Sequence, residues 1–264
     1  IRQISAELPA LDQSGIIVMN MVPDYISMKF PPTSNIPVAA ICLRDTLNAL
    51  IQVRIGLNEC LKHKVWYREK CDPPDEHHVV LYTRFYVDAI VAQLYAAGEH
   101  LASAIICMLE LTEDQLENYR ENRVSQQSIV GHYLANEQAG ASITMAVSAL
   151  ATSKEWKKTM AYRGRWTHEQ PPTVSGLVPV YTRRRRWEKS EDGTSFALGL
   201  GHGDDAEFSI DDILEFVQPA VFQFVELFEI VVPIYRDVIG KKGIVVTDTG
   251  IEVNDILDLK GKPT

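Results

Sequence analysis

DEHHVVLYTRFYVDAIVAQLYAAGEHLASAIICMLEL, residues 75–111, decides the fold. Tyr82, Tyr86, Ile90, Leu94, Ala97, Leu101, Ile105 and Met108 recur at spacings of three and four. That period predicts a long helix with one stripe turned to a core. A second stripe carries Arg84, Asp88, Tyr95 and Glu99. Arg84 and Asp88 stand four residues apart, and Asp88 and Glu99 eleven, almost three whole turns. Two readings fit this stripe: a solvated face with one ion pair, or a polar surface lining a cleft or a dimer seam.

Helical signals continue on both sides. From Val38 to about Lys70, Ile41, Leu47, Leu50, Ile51, Ile55 and Leu61 predict another long helix. Cys71-Asp72-Pro73-Pro74 stops it, because proline lacks the N–H donor and restricts its predecessor. Downstream, Thr112 as N-cap with Gln115 three residues on predicts a short helix over 113–123. Ser128–Ala151, rich in Gly, Ala and Ser, predicts a further long helix suited to close approach and to a dimer seam. Ser153 caps a helix from Trp156 to Glu169 that Gln170-Pro171-Pro172 ends. Leu177–Trp187 reads as a strand, Glu191–Thr194 as a turn and Ser195–Leu200 as the return strand. Ser209-Ile210-Asp211-Asp212 starts a helix running to about Val238, with Pro219 and Pro233 expected to kink or split it. Gly243–Val253 reads as a small hairpin, and Gly15–Met19 as a short strand in a turn-rich N-terminal stretch.

The expected architecture is all-α: an up-and-down four-helix bundle with a small β-hairpin insertion and extra terminal segments. Residues 1–38 form an N-terminal arm, 39–240 the bundle with its hairpin near 177–200, and 241–264 a tail.

Composition bounds the function. The 264 residues are 46% hydrophobic and 23% charged, which excludes a mainly disordered chain or a coiled-coil rod. Four scattered cysteines without a CxxC exclude a disulfide scaffold and a zinc ribbon. No uncharged run reaches the about 18 residues of a membrane span. The expectation is a soluble, reduced, cytoplasmic protein without cofactor or resident metal. A net charge of −9 argues against indiscriminate nucleic-acid coating but not against a local basic site.

Such a site is present. Tyr162-Arg163-Gly164-Arg165-Trp166-Thr167-His168 packs two arginines and a histidine into the last turns of a helix. The negative helix end favours imidazolium at His168. The guanidinium of Arg163 stays charged and grips phosphate bidentately. Such a pair suits metal-free RNA cleavage, one group moving a proton and the other neutralising the phosphorane. Positions 163 and 168 lie about 140° apart on an ideal helix. They converge on one anion only near a fraying terminus or with help from a second subunit. The plainer reading has the arginines solvated, Trp166 in the core and His168 as a helix-end group.

The same residues, followed by Pro171-Pro172 and Gly176-Leu177, resemble a bacterial subgroup of the HEPN superfamily (higher eukaryotes and prokaryotes nucleotide-binding). Leu94-Tyr95-Ala96-Ala97-Gly98-Glu99-His100-Leu101 is similar to the second bundle helix of that family. The resemblance spans about 39–240. It implies a four-helix bundle that pairs as a homodimer, often a metal-independent RNase using Arg-x4–6-His at the dimer cleft. Several members belong to toxin–antitoxin or antiviral systems, and others keep only RNA-binding or scaffold roles. Carried over, Arg163 and His168 match the catalytic pair. Gly164 departs from the polar residue, often Asn, that follows the arginine.

Charge adds its own argument. Lys154–Lys189 holds ten Lys and Arg against three Glu, a basic island in an acidic chain. Arg165 and Arg183, Arg184, Arg185 and Arg186 are thereby candidates for holding a nucleic-acid backbone. If the four lie on a strand, alternate ones face opposite ways, and the run then also serves to protect an edge strand from aggregation. His77 and His78 lack a second ligand cluster at metal-binding spacing, and His100 and His132 read as packing or surface residues. Three functions remain: a metal-independent RNase, a non-catalytic nucleotide-, RNA- or protein-binding module (an antitoxin among the partners), and a structural helical dimer.

Overall fold

The computed structural model describes residues 7–121, 123, 125–168, 172–176, 181–189, 196–202 and 206–253. Among these, nine α-helices and two two-stranded antiparallel hairpins form, so the chain is predominantly helical.

Three long helices make the frame: α3 (Ile36–Val65), α4 (Glu76–Met108) and α9 (Ile210–Gly240). α3 buries Ala39, Leu43, Leu47, Leu50, Val53, Leu57 and Cys60, and α4 buries Val80, Thr83, Val87, Ile90, Leu94, Ala97, Leu101 and Ile105. These recur every three or four residues, so each helix turns one continuous stripe to the core. α3 and α4 form the most extensive helix pair in the molecule. Gly56 permits the close approach, since a Cβ there would stand 2.9 Å from Ile90 Cγ1. A π-helical turn, Trp66–Lys70, leads into the Pro73-Pro74 break, and Asp75 then caps α4 by accepting the His78 N–H at 3.0 Å.

α9 is the most one-sided of the three, burying Val217, Val221, Phe224, Phe228, Val231 and Tyr235 among others. Ser209 and Asp212 close its first turn reciprocally in a capping box. It runs as one helix through Pro219 and Pro233, so of the kink or split expected there the split does not occur. Packing of its apolar face against α1, α3, α4, α7 and α8 outweighs two lost backbone bonds. α3 with its π-turn, α4 and α9 each contain an 18-residue window apolar enough to cross a membrane, of mean hydropathy 1.3, 1.3 and 1.5. A count of uncharged runs misses them because such windows admit two charged residues. Half of each window is buried inside the protein, so that apolar surface is spent in part on the core.

The shorter elements correct the sequence reading in three places. Gly15–Met19 is not a strand but part of helix α1 (Pro9–Asn20), followed by α2 (Pro23–Ser27). α1 buries Leu11, Ser14 and Val18 against α9 and α3, and Ser14 Oγ donates to Glu229 at 2.7 Å. The stretch expected as one helix over 128–151 is two, α6 (Gln126–Glu137) and α7 (Ser142–Thr152). They part at Gly140, whose φ of +90° no helix accepts. Between α4 and α6 lies α5 (Glu113–Glu117), with the expected Thr112–Gln115 capping box but shorter than 113–123.

α8 (Lys154–His168) starts at Ser153, whose Oγ accepts the Trp156 N–H at 3.1 Å. The chain then leaves the helical body through a clamp. Ser175 N–H donates to Phe208 O (2.9 Å), and Phe208 N–H to Thr173 O (3.2 Å). β1 (Tyr181–Lys189) and β2 (Phe196–His202) form the hairpin beyond it, with an irregular register between Tyr181 and Arg185. β3 (Ile244–Val246) and β4 (Ile251–Val253) form the second hairpin, which Asn20 Nδ2 joins to α1 through Thr247 O at 3.0 Å.

Candidate functional site

The polar stripe of α4 is not a solvated face. Asp88 Oδ1 accepts from the Tyr162 hydroxyl at 2.7 Å, and Arg84 Nε stands 3.6 Å from Asp88 Oδ2. Tyr162 is 3% exposed. Burial raises the Asp88 carboxyl above the usual carboxylate range, opposed by the Tyr162 hydrogen bond and by Arg84. Burial first, then the charge of Asp88, pushes the Tyr162 phenol well up. Tyr162 therefore keeps its proton and donates a hydrogen bond to Asp88, which fixes α8 against α4.

Two turns along α4, the Arg163 guanidinium lies over the Tyr95 ring, its Cζ 3.9 Å from the centroid. This is a cation–π stack, which holds a planar guanidinium in one orientation. Burial, then Glu99, raises the Tyr95 phenol, while Arg163 lowers it. Glu99, the last residue of the stripe, accepts the first N–H groups of α6, from Gln126 at 2.9 Å and Gln127 at 3.4 Å. Arg84, Asp88, Tyr95 and Glu99 thus all meet another helix or one another.

Arg163 and Tyr95 line a cavity of about 390 Å³ between α4, α6, α7, α8 and α9. Leu101, Ile105, Val130, Leu150, Trp156, Met160, Phe224 and Leu227 supply its apolar wall, and Gln127, Ser125, Ser128, Lys157 and Arg163 its polar groups. Trp156, Met160 and Arg163 follow one another by four and three residues, so one stripe of α8 faces the cavity. The Trp156 ring stacks on Phe224 at 5.6 Å between centroids. Lys157 and the cavity escape a reading of sequence motifs; the spacing along α8 is the signal that points to them.

Arg165 is committed elsewhere: it forms a two-pronged ion pair with Glu207, one arm at 2.8 Å, tying α8 to the segment before α9. A Cβ built at Gly164 meets nothing within 4 Å. The backbone of α8 is helical through His168, and that of β1 through Arg183, Arg184, Arg185 and Arg186. Their side chains lie outside the described residues. Among the described residues, no group of three or more His, Cys, Asp or Glu is placed to hold a metal ion.

Two further clusters had no counterpart in the sequence reading. Tyr86, His63, Tyr82, Tyr67 and His78 form a near-parallel stack, with successive centroids 5.5, 4.6, 5.5 and 5.3 Å apart. Tyr82 and Tyr86, expected in the core, are half-buried members of it. Cys42 of α3 and Cys107 of α4 are neighbours whose thiols interact. The hydrogen bond from Cys42 lowers the Cys107 thiol, and the same contact raises Cys42. Comparison of the chain with family models, with curated proteins and with solved structures finds no match.

Proposed function

We propose that the chain is a HEPN-like, RNA-directed helical bundle and a candidate metal-independent endoribonuclease, acting in the cytoplasm as a homodimer. The observation that carries this reading is the Arg163 guanidinium held over the Tyr95 ring in the wall of a cavity. A pre-oriented guanidinium spends less conformational entropy on gripping a phosphate than a solvated one does. In this reading Arg163 binds the scissile phosphate. His168 takes the proton of the attacking 2′-hydroxyl or gives one to the leaving 5′-oxygen, with no metal in either step. Arg165 adds to backbone binding only by exchanging Glu207 for phosphate, so its share is smaller than that of Arg163. Arg183–Arg186 extend the cationic track by charge.

A second reading, a non-catalytic nucleotide-, RNA- or protein-binding module, is favoured by the largely apolar wall of the cleft. RNA incubated in EDTA at low salt with the wild type, Arg163→Ala and His168→Ala separates the two. Cleavage by the wild type that both variants lose supports the ribonuclease. No cleavage, or equal cleavage by all three, overturns it.

A further inference from the structure

The cavity between α8 and the α6–α7 pair has a chemistry of its own. Its volume, about 390 Å³, falls within the about 300–1,000 Å³ typical of small-molecule sites. Its depth is apolar: Leu101 is 2% exposed and Phe224 1%. A wall of aliphatic and aromatic carbon offers ordered water too few partners, and empty it forfeits dispersion contacts that an apolar body would restore.

Its rim is cationic. Lys157 and Arg163 line it, and among the described lining residues there is no carboxylate. Glu99 of α4 accepts the first N–H groups of α6. Ser125 Oγ is likewise engaged, accepting the Ser128 N–H at 3.4 Å. The site therefore combines an apolar interior with positive charge on one side of its entrance, a pattern complementary to a molecule with an apolar tail and one negative head.

We infer that this cavity binds a small amphipathic anion, a medium-chain carboxylate. Its tail lies among Leu101, Ile105, Leu150, Phe224 and Leu227, and its head meets Lys157 and Arg163. This goes beyond the RNA reading and does not depend on it: a protein that binds such an acid and cleaves nothing satisfies the inference.

Isothermal calorimetry of the full chain, stripped on a hydrophobic resin and titrated with decanoate below its micellar range, tests it. The expected result is saturable binding of one decanoate per chain. Decanol and decylammonium bind at least about tenfold more weakly, the scale of one lost charge-assisted contact. Lys157→Ala weakens decanoate severalfold and leaves decanol unchanged. Ala151 is exposed yet lines the cavity, so Ala151→Phe fills the space without disturbing the buried core. It abolishes binding while the thermal midpoint without ligand stays within a few degrees. Absence of saturable decanoate binding, equal affinity for decanol and decylammonium, or undiminished binding by Ala151→Phe each overturns the inference.

Discussion

α4 packs along two seams, and they are built differently. Against α3 it is close-fitting: glycine at 56 brings the backbone of α3 within contact distance of Ile90, and aliphatic side chains fill the rest. Against α8 it is polar and partly open. Asp88 meets Tyr162, Tyr95 meets Arg163, and a cavity of about 390 Å³ remains beyond them. One helix thus carries a seam that stabilises and a seam that presents groups. The second leaves space and oriented charge where a ligand can use them.

The largest effect that separates the seams comes from equal truncations on each. Ile90→Ala removes a side chain 1% exposed at the Gly56 contact and is expected to cost about 2–5 kcal/mol in urea unfolding. Met160→Ala, half-buried beside an existing cavity, costs clearly less. Equal losses would mean that the α8 seam is as tightly packed as the α3 seam.

Next in size is the hydrogen bond across the open seam. Tyr162→Phe leaves Asp88 with Arg84 alone and is expected to cost about 1–2 kcal/mol. It also shifts the Asp88 carboxyl still higher. The sign of its pH dependence follows from the raised value: the native state holds the Asp88 proton more tightly than the unfolded chain does. The penalty for ionised Asp88 is therefore present above its folded value and disappears as pH falls into the ordinary carboxylate range. Asp211 and Asp212 at the start of α9 have the opposite sign. Lys64 first holds Asp211 down, and Ser209 holds Asp212 down, so their contribution is lost as pH falls through their lowered values. Urea midpoints between pH 3 and 7 are expected to fall on acidification in the wild type, and to fall more steeply in Asp88→Asn, which lacks the compensating group. Parallel curves for the two proteins would contradict the burial of Asp88.

The smallest effect falls at Gly164. A side chain there meets open space, so Gly164→Ala is expected to stabilise by up to about 1 kcal/mol through helix propensity alone. A loss of stability would mean that position 164 is packed.

Much of the frame was legible because its signals are local. The three- and four-residue recurrences of 82–108 set α4, and Thr112, Ser153 and Ser209 marked helix starts as side-chain caps. α1 was not legible, since Gly-Ile-Ile-Val-Met is an apolar run without a readable period. Nor was the break at Gly140, flanked by alanines that suit a helix. The stripe Arg84–Asp88–Tyr95–Glu99 stood out as a line of residues, but its partners could not be seen. Tyr162 lies 74 residues from Asp88, and only packing brings them together. The cavity was invisible for the same reason, being the space five helices fail to fill. The stacked rings show the limit from the other side: Tyr82 and Tyr86 have core spacing, yet they are only half-buried and stack with His63 and Tyr67.

The most direct test of the account asks whether the open seam presents an anion-binding cation. Binding of a single-stranded RNA, in EDTA, is measured over a range of salt concentrations for the wild type and Arg163→Ala. Each phosphate contact contributes roughly 0.7 to the slope of log affinity against log salt for a single strand. The account predicts tight binding at low salt, and for Arg163→Ala a weaker affinity with a slope shallower by about one contact. Identical affinities and identical slopes would contradict it.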